Sequence, residues 1–535
     1  MATSNLTSGF SNNRTRYALA LILLLVVTVI VLYESPYSAS NLAIAPDSVE
    51  YATSAWRIVH EGRYAITING TAYPPRYPPG FALFALAPAY LFSGQDPGHG
   101  IYGILFWSVV GVLAAFAIGR RLGGLPGGLM AGTAVLLLPD YRHYSQIIMS
   151  DATSTAVTLV LLLAYLRLTA APHNWKGWLC AGVLAAMAAS IRPTSLSATL
   201  PFLLLAVRVP PRRQFLANGL LFLLPILLLG ASQMFYNNWA FGTPFRSGYQ
   251  FWCPVPYDYT HLTFGFSHLP LNANAAWQSG LFFLLPAVVI MFLGLHRSAP
   301  HTDSEVTTSR DCLRFILFSA APLTLFHFFY FFDDPRFFLP VTGPLAALAG
   351  AMIGALLQRI SNRIAVVTAA SALILLLFLE LSRPNAEPTR RHTVDLLDDT
   401  LPKKALLISH TDPVYLDFFL NREAERVVLP LSRDVEYASK IVAPARIPAP
   451  DPPPAHARDH RCPGILNGGG LDVVTAVASE PAGVKAIDAA LDAGTPVFLD
   501  TTHLHPAQLP IIEGLQRRYR VRRLATGLYQ LSTGR

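Results

Sequence analysis

Apolar residues along the chain come in long uninterrupted blocks separated by short polar stretches, not in the alternating or one-in-three-or-four patterns of soluble strands and helices. Most blocks approach the roughly 20 residues that an α-helix needs to cross about 30 Å of hydrocarbon. They predict eleven spanning helices, at about 17–33, 102–119, 125–139, 152–168, 177–191, 196–208, 215–236, 277–295, 313–332, 337–357 and 364–381. A further stretch, Phe81 to Phe92, is short and follows Pro78-Pro79-Gly80. Its length suits a re-entrant or interfacial segment better than a crossing, although 196–208 is nearly as short. The first block, Tyr17 to Tyr33, follows Arg14 and Arg16 as a signal peptide would. It lacks a small-x-small cleavage site and many blocks follow it, so it reads as a retained helix.

Beyond Arg383 the pattern changes. Short strand-like runs (Ala405–Ser409, Arg426–Leu429, Pro496–Leu499) alternate with helix-like ones (Val484–Ala493, Leu509–Tyr519), the rhythm of a small α/β domain. The expected organisation is a transmembrane domain over 1–382, with a first outer loop at about 34–101 holding interfacial helices, and a soluble α/β domain over 383–535. Ala443–Pro454, mostly proline and alanine, reads as an extended loop. Gly468-Gly469-Gly470 lacks the strand–turn–helix context of a nucleotide loop and reads as a flexible turn.

Composition agrees with the blocks: of 535 residues 13% are charged and 52% hydrophobic, and the mean hydropathy is +0.40. A soluble chain of this length needs far more polar surface. Four cysteines rule out a disulfide framework, leaving Cys253 with Cys462 as one pairing between residues expected outside. The net charge of +8 is dispersed rather than gathered on one face, so no nucleic-acid partner is expected. Charge also tests the topology. With Phe81–Phe92 not crossing and the N-terminus cytoplasmic, fourteen Lys and Arg residues up to residue 382 fall inside and seven outside. Making 81–92 a crossing would move Arg120, Arg121, Arg208, Arg212 and Arg213 outside. Eleven crossings place the C-terminal domain, with 19 of the 40 Lys and Arg residues, on the non-cytoplasmic side. A multi-pass protein of a bacterial inner membrane, with a periplasmic or extracellular C-terminal domain, is the expectation.

Most acidic residues of the membrane half lie in the outer loops, where charge avoids the cost of about 2.5–3.5 kcal/mol at the centre of a span. The run Ala45-Pro46-Asp47-Ser48-Val49-Glu50-Tyr51 opens the first of these loops, and Tyr73-Pro74-Pro75-Arg76-Tyr77-Pro78-Pro79-Gly80 follows. Next come Leu138-Pro139-Asp140 and Tyr144 to Asp151, then Ile191-Arg192-Pro193-Thr194. Phe241-Gly242-Thr243-Pro244 with Ser247-Gly248-Tyr249, and Asp334-Pro335-Arg336-Phe337-Phe338-Leu339-Pro340, complete the series. In this order and with this sidedness, the pieces resemble the GT-C glycosyltransferase superfamily, and within it the protein O-mannosyltransferase and lipid A aminoarabinose transferase group. The resemblance covers roughly residues 14–382 and leaves the C-terminal domain unexplained. It implies a GT-C-like polytopic α-helical fold, and a sugar taken from a polyprenyl-phosphate carrier for a lipid, glycan or protein acceptor.

The residue types suit that chemistry. An inverting transfer needs a base for the acceptor hydroxyl. Asp47 is the candidate, as the resemblance also implies, and partial desolvation at the membrane surface would raise its pKa. Asp47 also reads as the N-cap of an amphipathic helix running through Trp56 to His60. A departing lipid phosphate needs fixed cations, and the arginine fork fits phosphate. Arg336, Arg76 and Arg192 are the candidates. Their rival roles are a salt bridge from Arg336 to Asp333 or Asp334, snorkelling of Arg76 to headgroups, and a helix cap or membrane-boundary marker at Arg192. By resemblance Asp151 is the second acidic residue, positioning the acceptor or a metal; it also reads as the N-cap of the helix after it. Some relatives use a divalent ion, but one or two carboxylates without a histidine cluster do not establish a metal here, so a divalent metal stays open and no cofactor is assigned. Tyr51, Tyr77 and Tyr249 are candidates for a sugar pocket, or belong to an interfacial aromatic belt.

Other classes fit less well. A transporter would show ionisable residues in mid-span or broken helices in two repeated halves, and neither is evident. A lipid-linked polysaccharide polymerase or ligase would share the arginine-bearing outer loops. A membrane-anchored receptor using the C-terminal domain would leave the carboxylates of the first two outer loops without purpose.

Overall fold

The computed structural model describes residues 5–42, 47–93, 96–208, 211–252, 257–297, 303–382, 388–421, 423–432, 476–504 and 506–534. The Cys253–Cys462 pairing, the 443–454 loop and the Gly468–Gly470 turn lie outside the described residues.

Each expected apolar block is helical. Five helices among the described residues are long and apolar enough to cross a membrane, and a bent pair makes a sixth. Five shorter apolar helices accompany them, Tyr17–Leu32, Pro79–Phe92, Trp175–Ile191, Pro193–Val207 and Val366–Leu381. The helix Ile101–Leu137 is two helices in fact, because Gly123 and Gly124 leave helical geometry and Gly124 takes φ +58°. Such a left-handed conformation suits a residue without Cβ. The halves fold back so closely that a Cβ on Gly119 would lie 2.3 Å from the Gly127 carbonyl oxygen. This separates 102–119 from 125–139.

One boundary needs correction. The single helix expected at 277–295 is a pair, Leu269–Gln278 and Leu281–Arg297, bent by 62°. The expected block coincides with the second limb, while the first, interrupted by Asn272, Asn274 and Gln278, lies almost wholly before it.

The centre of the bundle is the helix Leu339–Ile360, whose apolar window is 89% buried, against 11% for Arg213–Phe241 at the periphery. Its small residues allow close approach: a Cβ on Gly350 would lie 2.4 Å from the Met130 carbonyl oxygen. Between helices in lipid this packing replaces the hydrophobic drive available in water.

At one end of the bundle the first loop builds a short helical layer. The helix Asp47–Glu61 leads to an antiparallel hairpin of β1 (Ile66–Ile68) and β2 (Thr71–Tyr73). The helix Pro79–Phe92 follows, with a π-turn over Ala82–Leu86. Gly80 at its start packs on Ser190, whose carbonyl carbon would be 2.3 Å from an added Cβ.

The C-terminal region carries one five-stranded sheet. Its strands are β3 (Lys404–Ser409), β4 (Glu425–Pro430), β5 (Val497–Asp500), β6 (Tyr519–Ala525) and β7 (Leu528–Thr533), in the order β4-β3-β5-β7-β6. The first three are parallel, while β7 and β6 run antiparallel. Leu406, Ile408, Leu429, Val497, Leu499 and Leu531 form its core. The sheet docks on the first loop through its β4 edge. The Val428 N–H donates to Asn69 Oδ1 at 2.8 Å, and the Asn69 amide nitrogen donates back to the Val428 carbonyl at 3.1 Å. The Tyr415 hydroxyl donates to the Ser40 carbonyl at 3.1 Å, and Phe418 meets Trp56 edge-on at 5.1 Å.

Candidate active site

The helix Asp47–Glu61 places Asp47, Glu50 and Tyr51 on neighbouring faces of its first turn. The run 73–80 passes over it. Prolines 74, 75, 78 and 79 hold that run extended, and three hydrogen bonds fix it. The Trp252 indole N–H donates to the Pro74 carbonyl at 2.7 Å, the Tyr64 hydroxyl to the Tyr77 carbonyl at 2.8 Å, and the Arg76 N–H to Glu50 Oε2 at 2.9 Å. The Tyr77 hydroxyl thereby donates to Asp47 Oδ1.

Arg336 arrives from the short turn Pro335–Phe338 that precedes the central helix. Its Nη1 lies 3.4 Å from Asp47 Oδ2 and its Nε 3.2 Å from Asp334 Oδ2. Asp334 also caps the turn, accepting the Arg336 N–H at 3.0 Å. The salt bridge weighed as an alternative for Arg336 is therefore present together with contact to Asp47.

Asp151 lies in the first turn of the helix Ser150–Ala170, where an acidic side chain favours the helix dipole. The capping position belongs to Met149, and the Asp151 carboxylate turns to Arg192 Nη1 at 2.5 Å. The N-cap reading of Asp151 is thereby corrected. Arg192 ends the helix Trp175–Ile191 and begins the turn Pro193–Thr199; its backbone has the boundary role while its side chain enters the cluster. The Phe337 ring lies beneath both cations, 5.2 Å from the Arg192 guanidinium and 5.3 Å from that of Arg336.

The three tyrosines form a wall. Tyr51 and Tyr77 lie 4.5 Å apart between ring centroids, Tyr77 and Tyr249 5.5 Å. Tyr257 extends the wall 5.1 Å beyond Tyr249, and its hydroxyl lies 2.8 Å from that of Tyr330. Burial, with the Asp47 charge nearby, pushes the hydroxyls of Tyr51, Tyr77 and Tyr249 well up. These groups therefore stay neutral at ordinary pH.

Arg76 differs from the other two arginines. It is buried and its Nη2 lies 3.4 Å from Glu50 Oε1, so its charge is shared inside the first loop rather than shown at the cluster's centre. Burial raises the Glu50 carboxyl, and Arg76 opposes that shift. Asp334 is likewise raised by burial and lowered by Arg336.

All eight residues singled out from the sequence thus lie in one region. The sequence reading left out Glu50 as Arg76's partner, Phe337, Tyr257, Tyr330 and the buried His327, which stacks on Phe337 at 4.8 Å. Glu50 has a signal, three positions after Asp47 on one helix. Phe337 is next to Arg336 in the turn Pro335–Phe338 and His327 lies in the last turn of the helix Asp303–Phe329, while Tyr257 and Tyr330 have no such signal.

The cluster does not suit a divalent ion. Asp151 Oδ2 is buried without a hydrogen-bond partner, but guanidinium groups hold both Asp47 and Asp151. No three His, Cys, Asp or Glu side chains converge among the described residues.

Residues 76–235 match the sequence profile of the dolichyl-phosphate-mannose-protein mannosyltransferase family. The structure superposes on ArnT from Cupriavidus metallidurans in the apo state with a TM-score of 0.58, covering 98% of each chain at 12% identity. The same enzyme bound to undecaprenyl phosphate gives 0.55, covering 97% of this chain and 98% of that one at 11% identity. The chain has the GT-C fold. At such identities the likeness is one of fold, and it extends through the C-terminal sheet that the sequence resemblance left unexplained. No curated protein matches by sequence. Within this GT-C fold, Asp47, Asp151, Arg192 and Arg336 come from four separate segments and meet at one end of the bundle.

Proposed function

We propose that the protein is a glycosyltransferase that moves a sugar from a polyprenyl-phosphate carrier to an acceptor hydroxyl at the non-cytoplasmic membrane face, with inversion. The observation that carries this reading is the contact of Arg336 with Asp47 beside the Asp151–Arg192 pair. A base and fixed cations thereby share one tyrosine-walled cluster. ArnT, the neighbour of like fold, is described as bound to undecaprenyl phosphate, which supports a carrier of that class.

In this reading the donor enters laterally from the bilayer and its phosphate meets Arg336 and Arg192, with Arg76 behind them. Arginine is suited to phosphate by its planar fork. As the phosphate draws on the Arg336 charge, Asp47 loses part of its counter-ion and becomes a better acceptor for the hydroxyl proton. The acceptor oxygen attacks the anomeric carbon, the proton passes to Asp47, and the phosphate leaves with the bonding electrons, stabilised by the arginines. Tyr77 orients the base through Oδ1. Asp151 positions the acceptor, while Tyr51, Tyr77 and Tyr249 line the sugar pocket. Residues 1–382 form the transferase domain and 383–535 a soluble domain on the same side as the site. The excess of arginine in the opposite loops favours this orientation.

Purified protein is assayed for transfer of labelled sugar from a panel of polyprenyl-phosphate donors, beside Asp47→Asn, with donor binding measured in parallel. Donor-dependent transfer that disappears in a folded variant supports the reaction and the base. Surviving transfer removes Asp47 from its role, and failure to bind any donor rejects the reading.

A further inference from the structure

The two sides of the C-terminal sheet differ in what covers them. Residues paired across neighbouring strands share a side, and along one strand the sides alternate. The register therefore sets Leu407, Phe498, Gln530 and Arg522 on one side, with Arg520 opposite Ser532 on the same side. The other side holds Leu406, Leu499 and Leu531, packed with Ile487 of the helix Pro481–Asp492 and with Ile512 and Leu515 of the helix Leu509–Arg518.

The side that carries Arg520 and Arg522 is turned to the membrane. The helix Thr389–Thr400 lies on it, and its Val394 and Leu397 share a core with Leu407 and Phe498. Arg426 of β4 donates to the Leu401 carbonyl at its end at 2.9 Å, and Thr393 Oγ1 lies 3.0 Å from His503 Nε2 just past β5. The same helix is bonded to the ends of apolar helices. Its Arg390 N–H donates to Asn41 Oδ1 at 2.8 Å, and its Asp395 Oδ2 accepts the Tyr37 hydroxyl at 2.8 Å. Both partners come soon after the helix Tyr17–Leu32. Arg391 Nη1 lies 3.0 Å from Asp96 Oδ2, at the start of the span Pro97–Leu137. One helix, about 10 Å thick, thus stands between the sheet and the membrane end of the bundle. Among the described residues none of its bonds reaches β7 or β6, and Arg520 and Arg522 are exposed there.

Five of the seven residues from Arg517 to Arg523 are arginines. Arg518 belongs to the other side and pairs with Asp488 at 2.6 Å. Among the described residues no carboxylate pairs with Arg520 or Arg522. Charge at a sheet edge discourages pairing with other chains, but that needs neither a single sign nor a chosen side. Unpaired guanidinium groups held over a membrane surface attract anionic lipid, and their fork fits phosphate.

We propose that the β7–β6 part of this side is a docking face for anionic phospholipid headgroups, whose phosphates Arg520 and Arg522 engage. The lipid then holds the free edge of the sheet as Asn69 holds the β4 edge. The proposal does not depend on the transfer reaction.

The test uses the full-length protein in nanodiscs of phosphatidylcholine alone and of a two-to-one mixture with phosphatidylglycerol. Each arginine is labelled with phenylglyoxal and its rate of modification read by mass spectrometry. An arginine at an anionic surface gains about five-fold in occupancy, so Arg520 and Arg522 should react about five-fold more slowly in the mixed discs. Arg518, on the other side, should not change. About 1 M salt, where the Debye length is about 3 Å, should abolish the difference. Hydrogen exchange over residues 519–525 should also slow in the mixed discs, and in the double variant Arg520→Gln/Arg522→Gln it should be the same in both. These side chains are exposed, so the variant keeps its fold. Equal labelling of wild type in the two discs overturns the proposal. Slowing in the mixed discs that high salt leaves intact overturns it too, as does exchange in the double variant that still responds to phosphatidylglycerol. Protection in phosphatidylcholine discs by soluble polygalacturonate, without protection by phosphatidylglycerol, gives the face to an acidic glycan and rejects the lipid.

Discussion

Arg336 is the residue on which the proposed chemistry leans most, and replacing it gives the sharpest test. Its guanidinium lies 3.4 Å from Asp47 and 3.2 Å from Asp334, and its side chain is 12% exposed. A unit charge pair at the first distance interacts by about 5 kcal/mol at an effective dielectric of about 20. Desolvation offsets much of this in the resting protein. A phosphate leaving in the transition state collects the attraction afresh, and fixed donors at such positions are typically worth about 10²–10³ in kcat. Arg336→Ala is therefore expected to lower kcat by that factor, and Arg336→Lys by less, since an ammonium keeps the charge but loses the fork. The assay is single-turnover transfer of labelled sugar from a polyprenyl-phosphate donor in nanodiscs, with thermal unfolding monitored separately. A folded Arg336→Ala protein that keeps kcat within about three-fold of wild type would refute the reasoning that this cation stabilises the leaving phosphate.

Other measurements bear on the rest of the cluster. Arg192→Met strands the Asp151 carboxylate, which is 1% exposed; unfolding in detergent should show a loss of about 3–5 kcal/mol, largely recovered in Arg192→Met/Asp151→Leu. An additive double variant would mean that the pair is not coupled. Gly80→Ala forces a methyl group into the Ser190 backbone, and should cost about 1–3 kcal/mol and lower the melting temperature; an unchanged melt would place the two helices farther apart. Stability should also depend on pH through Asp412. Its folded value near 7 lies above the unfolded value of about 3.9, so the folded state holds the proton more tightly. This contribution is fully present below about pH 4 and is lost as pH rises to about 7, by about 4 kcal/mol. The difference in melting temperature between wild type and Asp412→Asn, followed from pH 4 to 8, should therefore change through that window, and a constant difference would contradict it.

How far the sequence carried the structure depended on how local each signal was. Every spanning helix was legible, because the demand that lipid-facing backbone satisfy itself writes a long apolar block into the chain. The limb Leu269–Gln278 before the bend was not, since its Asn272, Asn274 and Gln278 interrupt the apolar pattern. The strands β3, β4 and β5 show as buried β-branched and leucine runs. The β6–β7 hairpin hides behind Arg520, Arg522 and Arg523, which face outward from an edge strand, where charge serves to discourage pairing with other chains. The same contrast governs the site. Asp47, Arg76, Asp151, Arg192 and Arg336 stood out because each is charged beside a helix end in an apolar chain, and charge there needs a reason. Their pairing was not legible. Nothing in spacing says that Arg336 reaches back across nearly 300 positions to Asp47 while Arg76 turns inward to Glu50. Asp412 was least visible of all. In the sequence it is an ordinary cap before proline in a soluble domain, and its burial follows only from how the sheet seats on the first loop. Burial that comes from contact between distant segments leaves no local trace, and here the contacts through Asn69 and Tyr415 are what seat the C-terminal sheet on the first loop.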